Sequence, residues 1–144
     1  MKLLAIYLMI SLLPALTWMG DFNAAKVEAA QKHRLILINF SGSDWCGPCI
    51  RLRKEILESS AFEAYASDHL VLVRADFPRQ KKNQLSKEQV QRNEPLADKY
   101  NAEGKFPYTL LVDDNGKVLK TWDGFPNEGP DQFISEITTI QGSK

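Results

Sequence analysis

The sequence predicts an α/β sandwich, a sheet covered by helices. Three observations predict it. Leu35-Ile36-Leu37-Ile38-Asn39-Phe40 and Leu70-Val71-Leu72-Val73-Arg74-Ala75-Asp76 are nearly unbroken apolar runs of strand length. They lack the alternation of a half-solvated strand, which fits strands buried on both faces. Helix-forming stretches stand before, between and after them, and Asp113-Asp114-Asn115-Gly116 carries the Asn-Gly hairpin signal between two further β-prone runs. The chain of 144 residues is long enough for one domain with a real core.

The elements follow in order. Ala24 to His33 is rich in helix formers and reads as an amphipathic helix with Asn23 as its cap. Leu35 to Phe40 is the first core strand, and Ser41-Gly42-Ser43 is a turn. Gly47 to Glu58 reads as helix. Ser60 and Glu63 have capping-box spacing, which predicts a break and a second short helix over about 61–67. Leu70 to Asp76 is the second strand, ended by Phe77-Pro78. Residues 78–101 are polar and rich in lysine, glutamine and asparagine. Ser86 with Gln89 is another capping-box candidate there, predicting a loop and then a helix over about 86–101 that Pro95 breaks or restarts. Tyr108 to Asp113 and Lys117 to Thr121 form the hairpin. Gly129-Pro130 opens a last helix over about 130–141, with Phe133, Ile134, Ile137 and Ile140 as its core face.

The N-terminus is a separate segment. Lys2 precedes an apolar run, Leu3 to Leu13, interrupted only by Ser11 and ended by Pro14. That is the layout of a secretory signal peptide over residues 1–17, with Ala15 and Thr17 as the small residues before a cut at Trp18. The alternative is a short uncleaved membrane anchor, at the lower limit for spanning. Residues near position 20 include no cysteine, which excludes a bacterial lipoprotein anchor. Either reading places the folded part, 18–144, outside the cytoplasm: periplasmic, secreted or tethered to the membrane. Lysine plus arginine equals aspartate plus glutamate at 18 each, which argues against nucleic acid as a partner and against a polybasic membrane surface.

The chemistry concentrates at Asp44-Trp45-Cys46-Gly47-Pro48-Cys49, where a buried strand gives way to a helix. The chain's two cysteines are both here. Residues three apart at a helix start share a face, with Cα atoms about 5 Å apart, inside the roughly 4.4–6.8 Å that a disulfide spans. Unpaired N–H groups and the helix dipole would stabilise a thiolate at Cys46 and lower its pKa. Cys49, deeper in the first turn, should be the less exposed sulfur. Pro48 suits a first helical turn, and Gly47 lets another chain approach. A Cys46–Cys49 disulfide would close a loop too short to add much stability, so the pair reads as reactive rather than structural. A metal site would need more ligands, and the rest of the chain offers only His33 and His69, one at a helix end and one before a strand. No metal and no cofactor is expected.

Trp45-Cys46-Gly47-Pro48-Cys49 resembles the active-site motif of the thioredoxin family. Phe106-Pro107, followed by the apolar run to Val112 and the turn at 113–116, is similar to the family's cis-proline segment and hairpin. The resemblance covers about residues 24–141. It implies the thioredoxin fold: a mixed central sheet flanked by helices, with Leu35–Phe40 between the strands at 70–76 and 108–113. Residues 78–101 would then be a longer polar helical insertion, either solvated or a partner-recognition surface. It further implies a thiol–disulfide oxidoreductase with Cys46 as nucleophile and Cys49 as resolving thiol. Trp45, Gly47, Pro48, Phe106 and Pro107 would form the surface that binds substrate.

The Gly-Pro dipeptide is that of reducing thioredoxins, which favours a reductase of protein disulfides. The alternatives are the same site run as an oxidant or isomerase, and a non-catalytic binding protein or metal chaperone. The partners implied are disulfide-bonded proteins and a membrane electron-donor protein, with the chain acting as a monomer. Three departures from the family stand out. Asn39 occupies the place of a buried aspartate that moves the proton of Cys49, Arg74 matches a family lysine, and Lys54 replaces a kinking proline, which predicts a straighter active-site helix. Arg51, Arg53 and Lys54 either raise the local positive charge, opposed by Asp44, or form a solvated helix face.

Overall fold

A computed structural model describes residues 16–143. The expected leader, 1–17, lies outside the described residues except for Leu16 and Thr17. Five strands form one sheet in the order β1-β3-β2-β4-β5. β2 (Leu35–Ser41) lies at its centre, parallel to β3 (Leu70–Asp76) and antiparallel to β4 (Tyr108–Val112). β5 (Val118–Asp123) closes one edge antiparallel to β4. This mixed sheet is the predicted one, with one addition. Trp18–Met19 forms a two-residue strand, β1, parallel to β3. It is too short to leave a periodic signal.

The helices α1 (Phe22–Lys32), α2 (Gly47–Leu52), α3 (Ser60–His69), α4 (Lys87–Tyr100) and α5 (Gly129–Gln141) cover both faces. Leu35 and Leu37 of β2, with Leu70 and Leu72 of β3, pack on Leu52 and Ile56, on Phe62 of α3 and on Phe133 and Ile137 of α5. Ile36, Ile38 and Phe40 point the other way, against Ala25 and Ala29 of α1 and Leu96 of α4. Two buried faces explain the absence of alternation in β2.

Several boundaries differ from the sequence reading. The cap of α1 is Asp21, whose carboxylate accepts the N–H groups of Asn23 and Ala24 at 2.9 and 3.2 Å, so Asn23 lies inside the first turn. The cap of α3 is Ser59 rather than Ser60, its Oγ accepting the Phe62 N–H at 3.2 Å. Ser86 does cap α4, through the Gln89 N–H at 3.1 Å. The Gln89 side chain, however, turns to Gly20 O and Asn93 Oδ1, both at 2.8 Å, instead of completing a capping box. Pro95 neither breaks nor restarts α4. The carbonyl it leaves without an intrahelical donor belongs to Gln91, which is exposed and can bond to water.

The hairpin strands stop at Val112 and resume at Val118. Asn115-Gly116 is therefore not a two-residue turn. Asp113 Oδ1 gathers the N–H groups of Asn115 and Lys117 at 3.0 and 2.9 Å, and Gly116 takes the positive φ of 86° that lets the chain re-enter the sheet.

The stretch 78–101 is not wholly a solvated insertion. α4 is a sheet-covering helix, with Leu96 and Asn93 buried and Asn93 Nδ2 donating to Asp76 O at 2.9 Å. Only 78–86, with a single 3-10 turn at Lys81–Asn83, lies outside the layers.

The cap assignment separates two neighbouring serines. Ser59→Ala should cost about 1 kcal/mol of stability, and Ser60→Ala less than about 0.5 kcal/mol. Urea denaturation of the two variants measures the difference.

Candidate active site

β2 ends at Ser41, and the chain turns through Gly42-Ser43-Asp44-Trp45 into α2. Cys46 is the N-cap of α2: its Sγ accepts the Cys49 N–H at 3.2 Å, while its carbonyl takes the Ile50 N–H at 3.1 Å. A sulfur thus fills the role that a Ser or Asp oxygen usually fills at a helix start. Cys46 and Cys49 are joined by a disulfide, with Cα atoms 5.2 Å apart. Cys49 Sγ also accepts the Gly42 N–H at 3.4 Å. The expected order of exposure holds only narrowly. Cys46 is 5% and Cys49 3% exposed, so the first sulfur is not an open one in the disulfide form. Gly47 and Pro48 are exposed, with nothing within 4 Å of where a Gly47 Cβ would stand. Gly47 and Pro48, between the two buried cysteines in the chain, are therefore the exposed part of the motif.

Trp45 is half-buried and held on several sides. Its Nε1–H donates to Phe77 O at 2.7 Å, and its ring meets Phe106 edge-on at 5.4 Å between centroids. The indole lies so close to Gly42 that a Cβ there would collide with it. The Arg79 guanidinium sits over the ring, 3.6 Å from its centroid. The Phe106–Pro107 peptide bond is cis, and Pro107 is buried. Pro107 O accepts the Gly124 N–H at 3.0 Å. Trp45, next to Cys46 in the chain, and Phe106, next to Pro107, are therefore in contact.

Two aspartates stitch the site together, and sequence reasoning missed both roles. Asp76, at the end of β3, accepts the Ser43 N–H at 2.9 Å, the Ser43 hydroxyl at 2.5 Å and the Phe77 N–H at 3.0 Å. Asp44, in the loop after β2, reaches back across. Its carboxylate accepts the N–H groups of Arg79 and Gln80, both at 2.9 Å, and Asn83 Nδ2 at 3.1 Å. Gln80 Nε2 donates to Asp44 O at 3.2 Å. The N–H of Arg79, foremost, with Asn83 and Gln80, holds the Asp44 carboxyl below its ordinary value, against the opposing effect of desolvation. No local pattern announces a carboxylate that bonds 35 residues further along the chain.

The departures from the family take definite places. Asn39 is buried on the face of β2 that also carries Leu35 and Leu37, and its Nδ2 donates to Thr109 Oγ1 at 3.1 Å. Arg74, its register partner on β3, is half-buried with its guanidinium 4.1 Å from the Trp18 ring centroid. Burial, then the charge of Arg53, pushes Arg74 down from its ordinary value, while Asp76 and Glu58 oppose them.

The active-site helix is not regular where the family proline would stand. Lys54 lies in a π-helical turn, Arg53–Leu57, closed by the Glu58 N–H on Arg53 O at 2.8 Å. Two of the three basic residues of this helix have acidic partners. Arg51 pairs with Glu55 at 3.2 Å and Arg53 with Glu58 at 3.7 Å, and Lys54 is exposed. Arg51 and Lys54 fit the solvated-face reading, whereas Arg53 is half-buried, with its Nε buried and without a hydrogen-bond partner among the described residues. His33 and His69 are exposed, the first closing α1 in a left-handed conformation and the second stacked on Tyr65.

The thioredoxin-like family model matches residues 17–113. Disulfide bond reductase DsbH of Chlamydia pneumoniae is 39% identical over 117 residues, which cover 81% of this chain and 68% of that protein. Thioredoxin-related protein DsbJ of the same organism is 29% identical over 115 residues, 79% of this chain but only 32% of DsbJ. A solved DsbH oxidoreductase superposes with a TM-score of 0.80 at 34% identity, covering 90% of this chain and 87% of that one. A thioredoxin from Thermus thermophilus reaches a TM-score of 0.63 at 16% identity, over 88% and 87% of the two chains, a likeness of fold alone.

The Asp44 clamp predicts a pH response. A carboxylate held low in the folded state stabilises the loop above its unfolded pKa and loses that contribution as pH falls through its depressed native pKa. The Arg79 and Gln80 amide signals should therefore titrate below the usual aspartate range in NMR. In Asp44→Ala that transition should vanish and both amides should lose hydrogen-exchange protection.

Proposed function

The chain belongs to the thioredoxin-like family and is a thiol–disulfide oxidoreductase, and from that premise we propose that it works as a reductase of protein disulfides outside the cytoplasm. The observation that carries the reading is Cys46 as the cap of α2, its Sγ within 3.2 Å of the Cys49 N–H. In the reduced protein a thiolate at that position keeps an N–H donor and the positive end of the helix. The name of the similar DsbH protein, a disulfide bond reductase, supports the same direction.

In the proposed reaction the Cys46 thiolate attacks one sulfur of a substrate disulfide. A bond forms between Cys46 Sγ and that sulfur, the substrate S–S bond breaks, and the other sulfur leaves as a thiolate that takes a proton. Cys49, once deprotonated, attacks Cys46 Sγ. The mixed disulfide breaks, the second substrate thiolate leaves, and the Cys46–Cys49 bond closes. Two electrons pass from the dithiol to the substrate, so a donor dithiol must restore it. A membrane electron-donor protein is proposed for that role. Trp45, Gly47, Pro48, Phe106 and Pro107 are proposed to bind the substrate strand beside the sulfurs.

The chain is proposed to act as a monomer, with residues 1–17 as leader or anchor and 18–144 as the working domain. The support for export is the layout of Lys2 and Leu3–Leu13. Among the described residues no helix is long and apolar enough to cross a membrane.

Redox titration of the domain should give a potential on the order of −270 mV, and one far above about −200 mV would make the site an oxidant. Reduction of insulin by a dithiol donor should be accelerated, and Cys49→Ser should accumulate mixed disulfides. Asn39 cannot accept the proton of Cys49, so resolution should be slower than in a thioredoxin and nearly flat with pH around neutrality. Asn39→Asp should speed it and add an apparent pKa belonging to neither cysteine, visible in stopped-flow rates against pH.

A further inference from the structure

The surface of Trp45 is not the bare apolar plane that its place beside Cys46 suggests. Arg79 lies over the ring at 3.6 Å, and Arg79 is itself exposed. A stacked guanidinium keeps its N–H edge free, in a fork that matches a carboxylate. Its backbone is fixed, because the Arg79 N–H is bonded to Asp44 at 2.9 Å. Lys81 and Lys82 follow in the same tethered turn, both exposed.

Neither lysine, nor Arg79, takes part in an ion pair among the described residues, whereas Arg51 and Arg53 on the active-site helix are paired with glutamates. The acid bonded to the loop, Asp44, has its carboxylate turned onto backbone N–H groups and Asn83. The loop therefore presents unmatched positive charge at one rim of the disulfide, in a chain whose acidic and basic residues balance at 18 each. A general excess of cations does not explain it.

We infer that Arg79, stacked on Trp45 and supported by Lys81 and Lys82, selects substrates whose reactive cysteine is flanked by aspartate or glutamate. The inference rests on the reductase reading and names its substrate class. A carboxylate next to the substrate cysteine meets the Arg79 fork as the sulfur approaches over Gly47-Pro48. The lysines add a longer-range attraction that salt screens. Arg79 is in this sense a specificity residue, and the loop at 79–83 is a recognition surface rather than solvated filler.

The test uses two peptides identical except that the residues flanking their single cysteine are Glu and Asp in one and Gln and Asn in the other. Each cysteine is held in a disulfide with thionitrobenzoate, whose release is followed by absorbance as reduced protein attacks. The measured quantity is the ratio of the acidic to the neutral rate within each variant. The wild-type ratio should be about three- to fivefold at low salt and fall toward one at about 0.5 M salt. Arg79→Gln should bring the ratio close to one, Arg79→Lys should leave it intermediate, and Lys81→Gln with Lys82→Gln should reduce it less than Arg79→Gln.

A wild-type ratio of one at low salt overturns the inference. So does a full ratio retained in Arg79→Gln, or one abolished by the two lysine changes and untouched at Arg79. Failure to attack either peptide would overturn the reductase reading instead, and is told apart by the absence of any thionitrobenzoate release.

Discussion

Everything at the site depends on β2 having no free side. It is hydrogen-bonded to β3 and β4, and its side chains are buried on both faces. A strand so enclosed can release the chain only at its end. The backbone leaving Ser41 turns at once: the Gly42 N–H goes to Cys49 Sγ, the Ser43 N–H to Asp76, and the Trp45 and Cys46 N–H groups to Gly42 O. Cys46 stands at the start of α2, so the first sulfur becomes the acceptor that the helix would otherwise lack. The chemistry of the pair follows from where a core strand stops.

A second constraint fixes the mouth of the site. β2 and β3 are parallel neighbours, so the loops leaving their ends emerge side by side. Each sends a carboxylate into the other: Asp76 binds Ser43 in the first loop, and Asp44 binds the Arg79–Asn83 turn in the second. The crossing leaves both acids occupied by backbone or side-chain donors, and the cations of the second loop without acidic partners. Trp45 is held between these loops, with Phe77 O on its nitrogen and Arg79 on its ring. The aromatic wall and the basic rim are thus parts of one arrangement.

The polar layer beneath the helix differs from what the family pattern implies. Asn39 donates to Thr109, and Arg74 leans on the indole of Trp18 rather than approaching Asn39 as an ion. Neither is a base at neutral pH. The π-helical turn at Arg53–Leu57 lies where the family has a proline. Both mark a break in an otherwise regular helix.

Local sequence determined the two buried strands, the helix after them, the hairpin region and the identity of the reactive pair. Each of these is written in a few adjacent residues: unbroken apolar runs, a Cys-Gly-Pro-Cys step, a cluster of turn formers. Caps were legible to within a residue or two, because serine and aspartate neighbours compete for the same N–H groups, as Ser59 and Ser60 do. Tertiary structure alone decided the rest. Trp18–Met19 becomes a strand only because β3 offers an edge, and Pro95 stays inside α4 because packing of Leu96 and Asn93 outweighs one missing hydrogen bond. The Asp44 clamp joins residues 35 to 39 positions apart, and no periodicity carries such a pairing. A hydrogen bond between two loops depends on where the sheet puts them, and that is settled only when the whole chain has folded.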